Sequence, residues 1–181
     1  MHTFRLFLFR LLLPLIPETR GFALKRLLYR WCGATIGPQV RICSSVRVYG
    51  AGGLSIGTDT WLGHDVLIQS GGEVVIGCHV DIAPRVVLTT GSHCIDSVGA
   101  HTAGAGYNIR LVISDGAWLG AGVIVVPSRS GEERVIGRKA VIAAGAVVVR
   151  NVGDGELAAG VPAVCKRKIG GGTASCEGDG C

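Results

Sequence analysis

Five histidines, at positions 2, 64, 79, 93 and 101, are the side chains that titrate nearest neutral pH. An imidazole can take a proton from a hydroxyl that is otherwise a poor nucleophile. His93 stands out by its setting, TTGSHCID (Thr89–Asp96), where a regular apolar rhythm breaks off. The irregular run SVGAHTAGAGYNIRL follows before the rhythm resumes. It carries His101, Tyr107, Asn108 and Arg110. Long excursions from a rigid scaffold are where binding residues gather. Residues 94–110 therefore read as an irregular loop beside a pocket, with Tyr107 and Asn108 as substrate-binding candidates. His79 and His101 read as solvated corner and loop residues.

Metal chemistry finds little support. Zinc needs three converging ligands and an open position. The seven cysteines form no C-x-x-C pair, and Cys176 and Cys181 have no evident role. Reduced thiols and no metal are the expectation.

The scaffold that must hold His93 is written in sixes. IGPQVR, ICSSVR and VYGAGG come first, then IGTDTW, LGHDVL and IQSGGE, then IGCHVD, IAPRVV and LTTGSH. ISDGAW, LGAGVI, IGRKAV and IAAGAV follow the break. A period of six is neither helical nor simple alternation, and fixed-period repetition outranks local propensity. It predicts three short strands per coil, with the first residue of each six pointing into a narrow triangular core. Ile36, Ile56 and Ile76 are 20 residues apart, so each coil is three sixes plus two residues. The step from Ile76 to Ile113 is 37 residues, and the excess is the run after His93. A smaller excess, PSRSGEER (127–134), reads as a solvated corner loop.

Charge separates the ends from the body. Residues 1–30 hold six basic side chains and one acid, while the remaining 151 hold 12 of each. A balanced body gives no reason to expect nucleic-acid binding. FRLFLFRLLLPLI (Phe4–Ile16) is apolar, but it is shorter than the ~20 residues of a membrane span and is interrupted by Pro14. Arg10 splits it and no A-x-A site follows, against a signal peptide. Leu24, Leu27, Leu28 and Trp31 fall on one face of a helix. Residues 1–33 thus read as a helical segment that caps the scaffold, lies on a membrane surface, or both. Residues 34–169 form the main domain, and the glycine-rich tail 170–181 reads as disordered.

The sixes resemble the hexapeptide-repeat acyltransferases over roughly residues 34–169. The resemblance implies an all-β, left-handed parallel β-helix with the N-terminal helical cap. Its hand comes from the resemblance, because ordinary parallel crossovers are right-handed. The order TGSH, loop, DGAWLGAGVIV, VIAAGAVVVRNV, LAAGVPA is similar to the sugar O-acetyltransferase branch, with its galactoside, maltose and capsule-modifying enzymes. This implies transfer of acetyl from acetyl-CoA to a hydroxyl of a surface polysaccharide, its precursor or a small sugar, with His93 as general base. Trp118 then lies beside acetyl-CoA, and Ala121 and Ala144 offer backbone groups to the pantetheine arm. Arg150 and Arg167 meet CoA phosphates. A further basic position of the branch falls on Val164, so Lys166 is expected to substitute. The branch's acceptor-orienting Asn falls on Gly63, which leaves neighbouring His64 and Asp65 as substrate-binding candidates. The resemblance also implies a homotrimer with sites between subunits, and the expected setting is cytoplasmic, either free or at the inner face of the membrane.

Rival readings are a non-enzymatic β-helix scaffold and an acyltransferase for a non-sugar acceptor such as serine. The serine branch carries a long helical domain and a GGTGK loop, both absent here. Zinc carbonic anhydrases share the fold but place two ligands five residues apart, which these histidines do not.

Overall fold

The computed structural model describes residues 1–128 and 131–169. The tail 170–181, read as disordered, lies outside the described residues, as do Arg129 and Ser130 of the second excess. The sixes become three walls of parallel strands. The first wall stacks Thr35–Ile36, Leu54–Ile56, Val74–Ile76, Leu111–Ile113 and Arg134–Ile136. The second stacks Arg41–Ile42, Trp61–Leu62, Asp81–Ile82, Trp118–Leu119, Val141–Ile142 and Glu156–Ala159, with Val164–Lys168 turning back antiparallel on the last. The third stacks Arg47–Tyr49, Leu67–Gln69, Val87–Thr89, Ile124–Val125 and Val147–Val148. The coils form the left-handed parallel β-helix of hexapeptide-repeat proteins.

Inward positions form ladders because the register is kept from coil to coil. Ile36, Ile56, Ile76, Ile113 and Ile136 pair in one column. Ile42, Leu62, Ile82, Leu119 and Ile142 make the second column. All ten are buried. Burying each such side chain contributes roughly 1.5–3 kcal/mol relative to exposure. Between the first and second walls the fifth residue of the six is buried too, and it shrinks from Val40 and Val80 to Ala117 and Ala140. Buried Thr60 keeps its hydroxyl satisfied by donating to Gly77 O and accepting from Val80 N.

Corners need a left-handed residue. Gln39, Asp59, His79 and Lys139 supply it between the first and second walls, with φ from 50° to 59°. Asp59 accepts from His79 Nδ1 at 3.2 Å and lies 3.6 Å from Arg41, so His79 is an exposed corner residue as expected.

The open lower end is closed by helices α1 (Thr3–Leu12) and α2 (Phe22–Trp31), with a short 3-10 turn at Leu13–Leu15. Leu6, Phe9 and Leu13 are buried, and Phe9 meets Tyr29 edge-on at 4.8 Å. The unpaired carbonyls of the first coil are satisfied by α2 side chains. Arg30 donates to Ile36 O, Arg26 to Val40 O and Lys25 to Ile42 O. The buried Lys25 ammonium also donates to Pro17 O and Glu18 O, while burial lowers its pKa.

The apolar face of α2 divides between the cap and membrane-surface readings, with Leu28 packed against the core. Leu24, Leu27 and Trp31 of that face are exposed, and Lys25 and Tyr29 are the buried side of α2. Carbonyl satisfaction at the coil edge outweighs apolar matching. No helix among the described residues is long and apolar enough to cross a membrane.

The second excess also differs from a wholly solvated loop. Arg134 is buried and donates to Val126 O, Val149 O and Asn151 Oδ1, tying three corner segments together.

Candidate active site

The run after His93 is a two-stranded antiparallel hairpin rather than an irregular loop. Gly91–Ile95 pairs with Ala103–Asn108, with His93 opposite Gly106 and a bulge between His93 and Ile95. Thr90 roots it. This buried residue donates its hydroxyl to Gln69 O, accepts from Gly72 N, and takes Ile109 N on its carbonyl. Arg110 holds the returning end, 2.8 Å from Glu73 and 3.2 Å from Glu133. At the tip, Asp96 accepts from Val98 N and Gly99 N, and these bonds hold its carboxyl below the usual range.

His93 is exposed, and its Nδ1 lies 2.9 Å from Gly104 O. A carbonyl can only accept, so Nδ1 carries the proton and donates. The neutral ring then keeps its lone pair on Nε2. Gly106 lies against the ring, where an added Cβ would stand 3.5 Å from Cε1. A rigid β root, a fixed tautomer and a free Nε2 are what a general base requires. Tyr107 is half-buried and Asn108 exposed on the same hairpin. Asn108 packs against Gly71, where a Cβ would collide with its amide oxygen.

The candidates for the phosphate-bearing ligand occupy a different edge. Trp118 is 54% exposed on the second wall. Ala121 and Ala144 are exposed where the second wall turns into the third, joined by Gly145 N donating to Ala121 O. Gly120 lets these coils approach, since a Cβ there would lie 2.6 Å from Ala144 N. Lys166 and Arg167 lie on the exposed strand Val164–Lys168. Arg150 stands apart from this group, just past Val147–Val148, at the corner from which the hairpin also leaves. Within one chain, then, His93, Tyr107 and Asn108 share the hairpin, and Arg150 leaves the same wall two strands higher. Trp118 and Arg167 lie in one column of the second wall, through Val141 and Leu157, with Lys166 beside Arg167, and Ala121 and Ala144 lie where that wall turns into the third.

His64 and Asp65 share the second-to-third corner with Ala121, lower in the stack. Gly63 has no room for the absent Asn, because a Cβ would sit 2.9 Å from Ile82 O. His64 is held toward the cap, with Nδ1 3.5 Å from Glu18 Oε2. Asp65 lines a shallow depression of about 480 Å3 with Arg47, Tyr49, Gln69 and Arg85.

Glu18, Cys43 and His64 bring potential ligand atoms within 4.8 Å of one another, a cluster that sequence spacing did not reveal. Lys25 lies against it and acts electrostatically on both Glu18 and Cys43, which disfavours a cation. Burial pushes the Cys43 thiol up, away from the thiolate a metal needs. Cys32, Cys43, Cys78, Cys94 and Cys165 are free, while Cys176 and Cys181 lie outside the described residues.

Thr90 and Gly104 are the site residues sequence reasoning missed. A threonine on a six and a glycine in a glycine-rich run carry no signal of what they will bond.

Known proteins with the same coils confirm the family. The galactoside O-acetyltransferase of Lactococcus lactis is 33% identical over 121 residues, 67% of this chain and 56% of its own length. WcaF of Escherichia coli, assigned as an acetyltransferase of colanic acid biosynthesis, is 33% identical over 151 residues, 79% of this chain and 78% of its own. The chain spans about half the length of the Lactococcus protein and of a Saccharomyces cerevisiae relative. No family model matches the sequence. Among solved structures, the hexapeptide-repeat acetyltransferase VCA0836 of Vibrio cholerae, complexed with acetyl-CoA, superposes with a TM-score of 0.69. That superposition covers 93% of this chain and 87% of the other at 23% identity, a likeness of fold. From its in-register sixes and its match along most of WcaF, the chain belongs to the hexapeptide-repeat acyltransferases.

Proposed function

We propose that the protein transfers an acetyl group from acetyl-CoA to a carbohydrate hydroxyl, with His93 as general base. The observation that carries the reading is the Nδ1–Gly104 hydrogen bond, which in the neutral ring places the lone pair on Nε2 of a rigid hairpin. His93 Nε2 takes the acceptor's hydroxyl proton as its oxygen attacks the thioester carbonyl. Collapse of the tetrahedral species breaks the C–S bond, and His93 returns the proton to the leaving sulfur. No enzyme nucleophile is needed, because the thioester is already activated. Backbone N–H groups of the stacked coils are the candidates for stabilising the oxyanion.

The ledge at Ala121, Gly122, Ala144 and Gly145 fits a pantetheine arm. A Cβ at Gly122 or Gly145 would meet nothing within 4 Å, so the backbone there is open to a ligand. Lys166 and Arg167 supply cations for phosphates nearby. Ledge and base lie at different corners of one chain. A homotrimer would join the ledge of one subunit to the hairpin of the next, and Arg150 would reach the same site from the hairpin side. The galactoside and colanic acid relatives favour a sugar acceptor, with Asp65, Tyr107 and Asn108 as groups that orient it. Calorimetric titration with acetyl-CoA, followed by a turnover screen over sugars and nucleotide sugars, tests the reading. A scaffold would bind no acetyl-CoA, and a serine-type enzyme would turn over no sugar.

A further inference from the structure

The N-terminal helices carry more apolar surface than the cap uses. Phe4, Phe7, Leu8, Leu11, Leu12 and Leu15 form an exposed stripe at helical spacing, opposite the buried Leu6, Phe9 and Leu13. Phe4 is 70% exposed and Leu15 79%. A helix that is apolar on both sides calls for a second covering surface. The stripe continues onto α2, where Arg5 stands 5.3 Å over the Trp31 ring and exposed Leu24 and Leu27 lie on the same helix as Trp31. A groove of about 870 Å3 beside it mixes apolar Phe7, Leu11 and Pro14 with cationic Arg10 and Arg47.

Charge decides what fits. Arg5, Arg10 and Arg20 are exposed, and no ion pair among the described residues includes any of them. A second copy laid stripe to stripe would bring these cations together. A neutral bilayer would cover the apolar face and leave the charges unanswered. We infer that α1 and the adjoining face of α2 dock the protein, in plane, on a bilayer containing anionic phospholipid. Acyl chains cover the stripe and groove, while the arginines snorkel to the phosphates. This inference is independent of the proposed acetyl transfer.

The test is flotation of the full chain with vesicles of phosphatidylcholine alone, or with a minority of phosphatidylglycerol. Binding should appear with the anionic lipid and fall at least about tenfold without it or in high salt. The double variant L11E/L15E alters two exposed positions, and it should lose binding while keeping its melting temperature and solution mass. Should that variant fail to fold, F4S/L12S replaces it with the same expectation. Equal partition to both vesicles, no binding to either, or unimpaired binding by the variant would overturn the inference. A change in the variant's solution mass would do so too, by showing that the stripe is covered by a second copy.

Discussion

The corner between the second and third walls is built in two ways. In the lower coils its left-handed position holds Asp65 and Arg85, with φ of 56° and 61°. Higher up, the equivalent positions are Gly122 and Gly145, both at φ 70°. The backbone shape is nearly the same, so geometry alone does not demand glycine in the upper half. Space does not demand it either, because a Cβ on either glycine would be free of contacts. The upper half is bare although it need not be, as a corner that receives a ligand against its backbone would be. The lower half keeps charged side chains around a depression that Leu67 and Val87 also line. One corner thus offers a smooth ledge above and a functionalised surface below.

The sharpest way to test that division is to remove the chemistry and keep the ledge. His93→Ala should lower turnover by ~10²–10⁴-fold and leave acetyl-CoA affinity nearly unchanged, since His93 sits at another corner. Steady-state kinetics with calorimetry separate the two, and more than about a tenth of the wild-type rate would remove His93 from the role of base.

A second variant makes the upper corner resemble the lower one. Gly145→Asn keeps a residue that tolerates the left-handed region, so the melting temperature should move by less than about 1 kcal/mol would produce. Acetyl-CoA affinity should fall about tenfold, read by calorimetry. Unchanged affinity would mean that the bare ledge is not the donor's path.

The converse change, Arg85→Gly, smooths the lower corner. It should leave acetyl-CoA affinity intact and raise the acceptor KM a few-fold, as expected from losing one charge-assisted contact. An effect on the donor instead would dissolve the division between the halves.

The smallest effect concerns the hairpin tip. Gly99 N–H and Val98 N–H hold the Asp96 carboxyl below the usual 3.8, so the latch is complete above that pH. It is lost as pH falls through the lowered folded value, because protonation removes the acceptor. Amide exchange at Val98 and Gly99 should quicken there while the Ile76 and Ile113 amides stay protected. Equal loosening of wall and tip would show that the hairpin does not open on its own.

The walls were legible because each ladder repeats one requirement: Ile36, Ile56 and Ile76 all face the same narrow core. A single coil would have been ambiguous, and the stack is not. The hairpin was not legible, since Ala103–Asn108 (AGAGYN) lacks the β-branched alternation that marks a strand. Its pairing comes from anchors at Thr90 and Arg110, which are tertiary. The inward turn of Lys25 was not legible, because a lysine looks solvent-bound in sequence, yet three carbonyls recruit it inward. His93 was found by the broken rhythm, but its tautomer depends on Gly104 O, which no side-chain pattern encodes.

The hairpin also leaves no trace in the walls. Val74–Ile76 and Leu111–Ile113 pair residue for residue across a 37-residue step, as closely as strands 20 apart elsewhere. The chain exits after Thr89 and re-enters without shifting the stack by one position. Loop length is thermodynamically cheap when its ends are already held together. Such an insertion behaves as an exchangeable cassette. A longer, shorter or differently lined hairpin grafted between Thr90 and Arg110 would change what reaches the imidazole and leave every ladder as it was. Under the proposed acetyl transfer, acceptor preference would then diversify through one short stretch of gene, without renegotiating the fold.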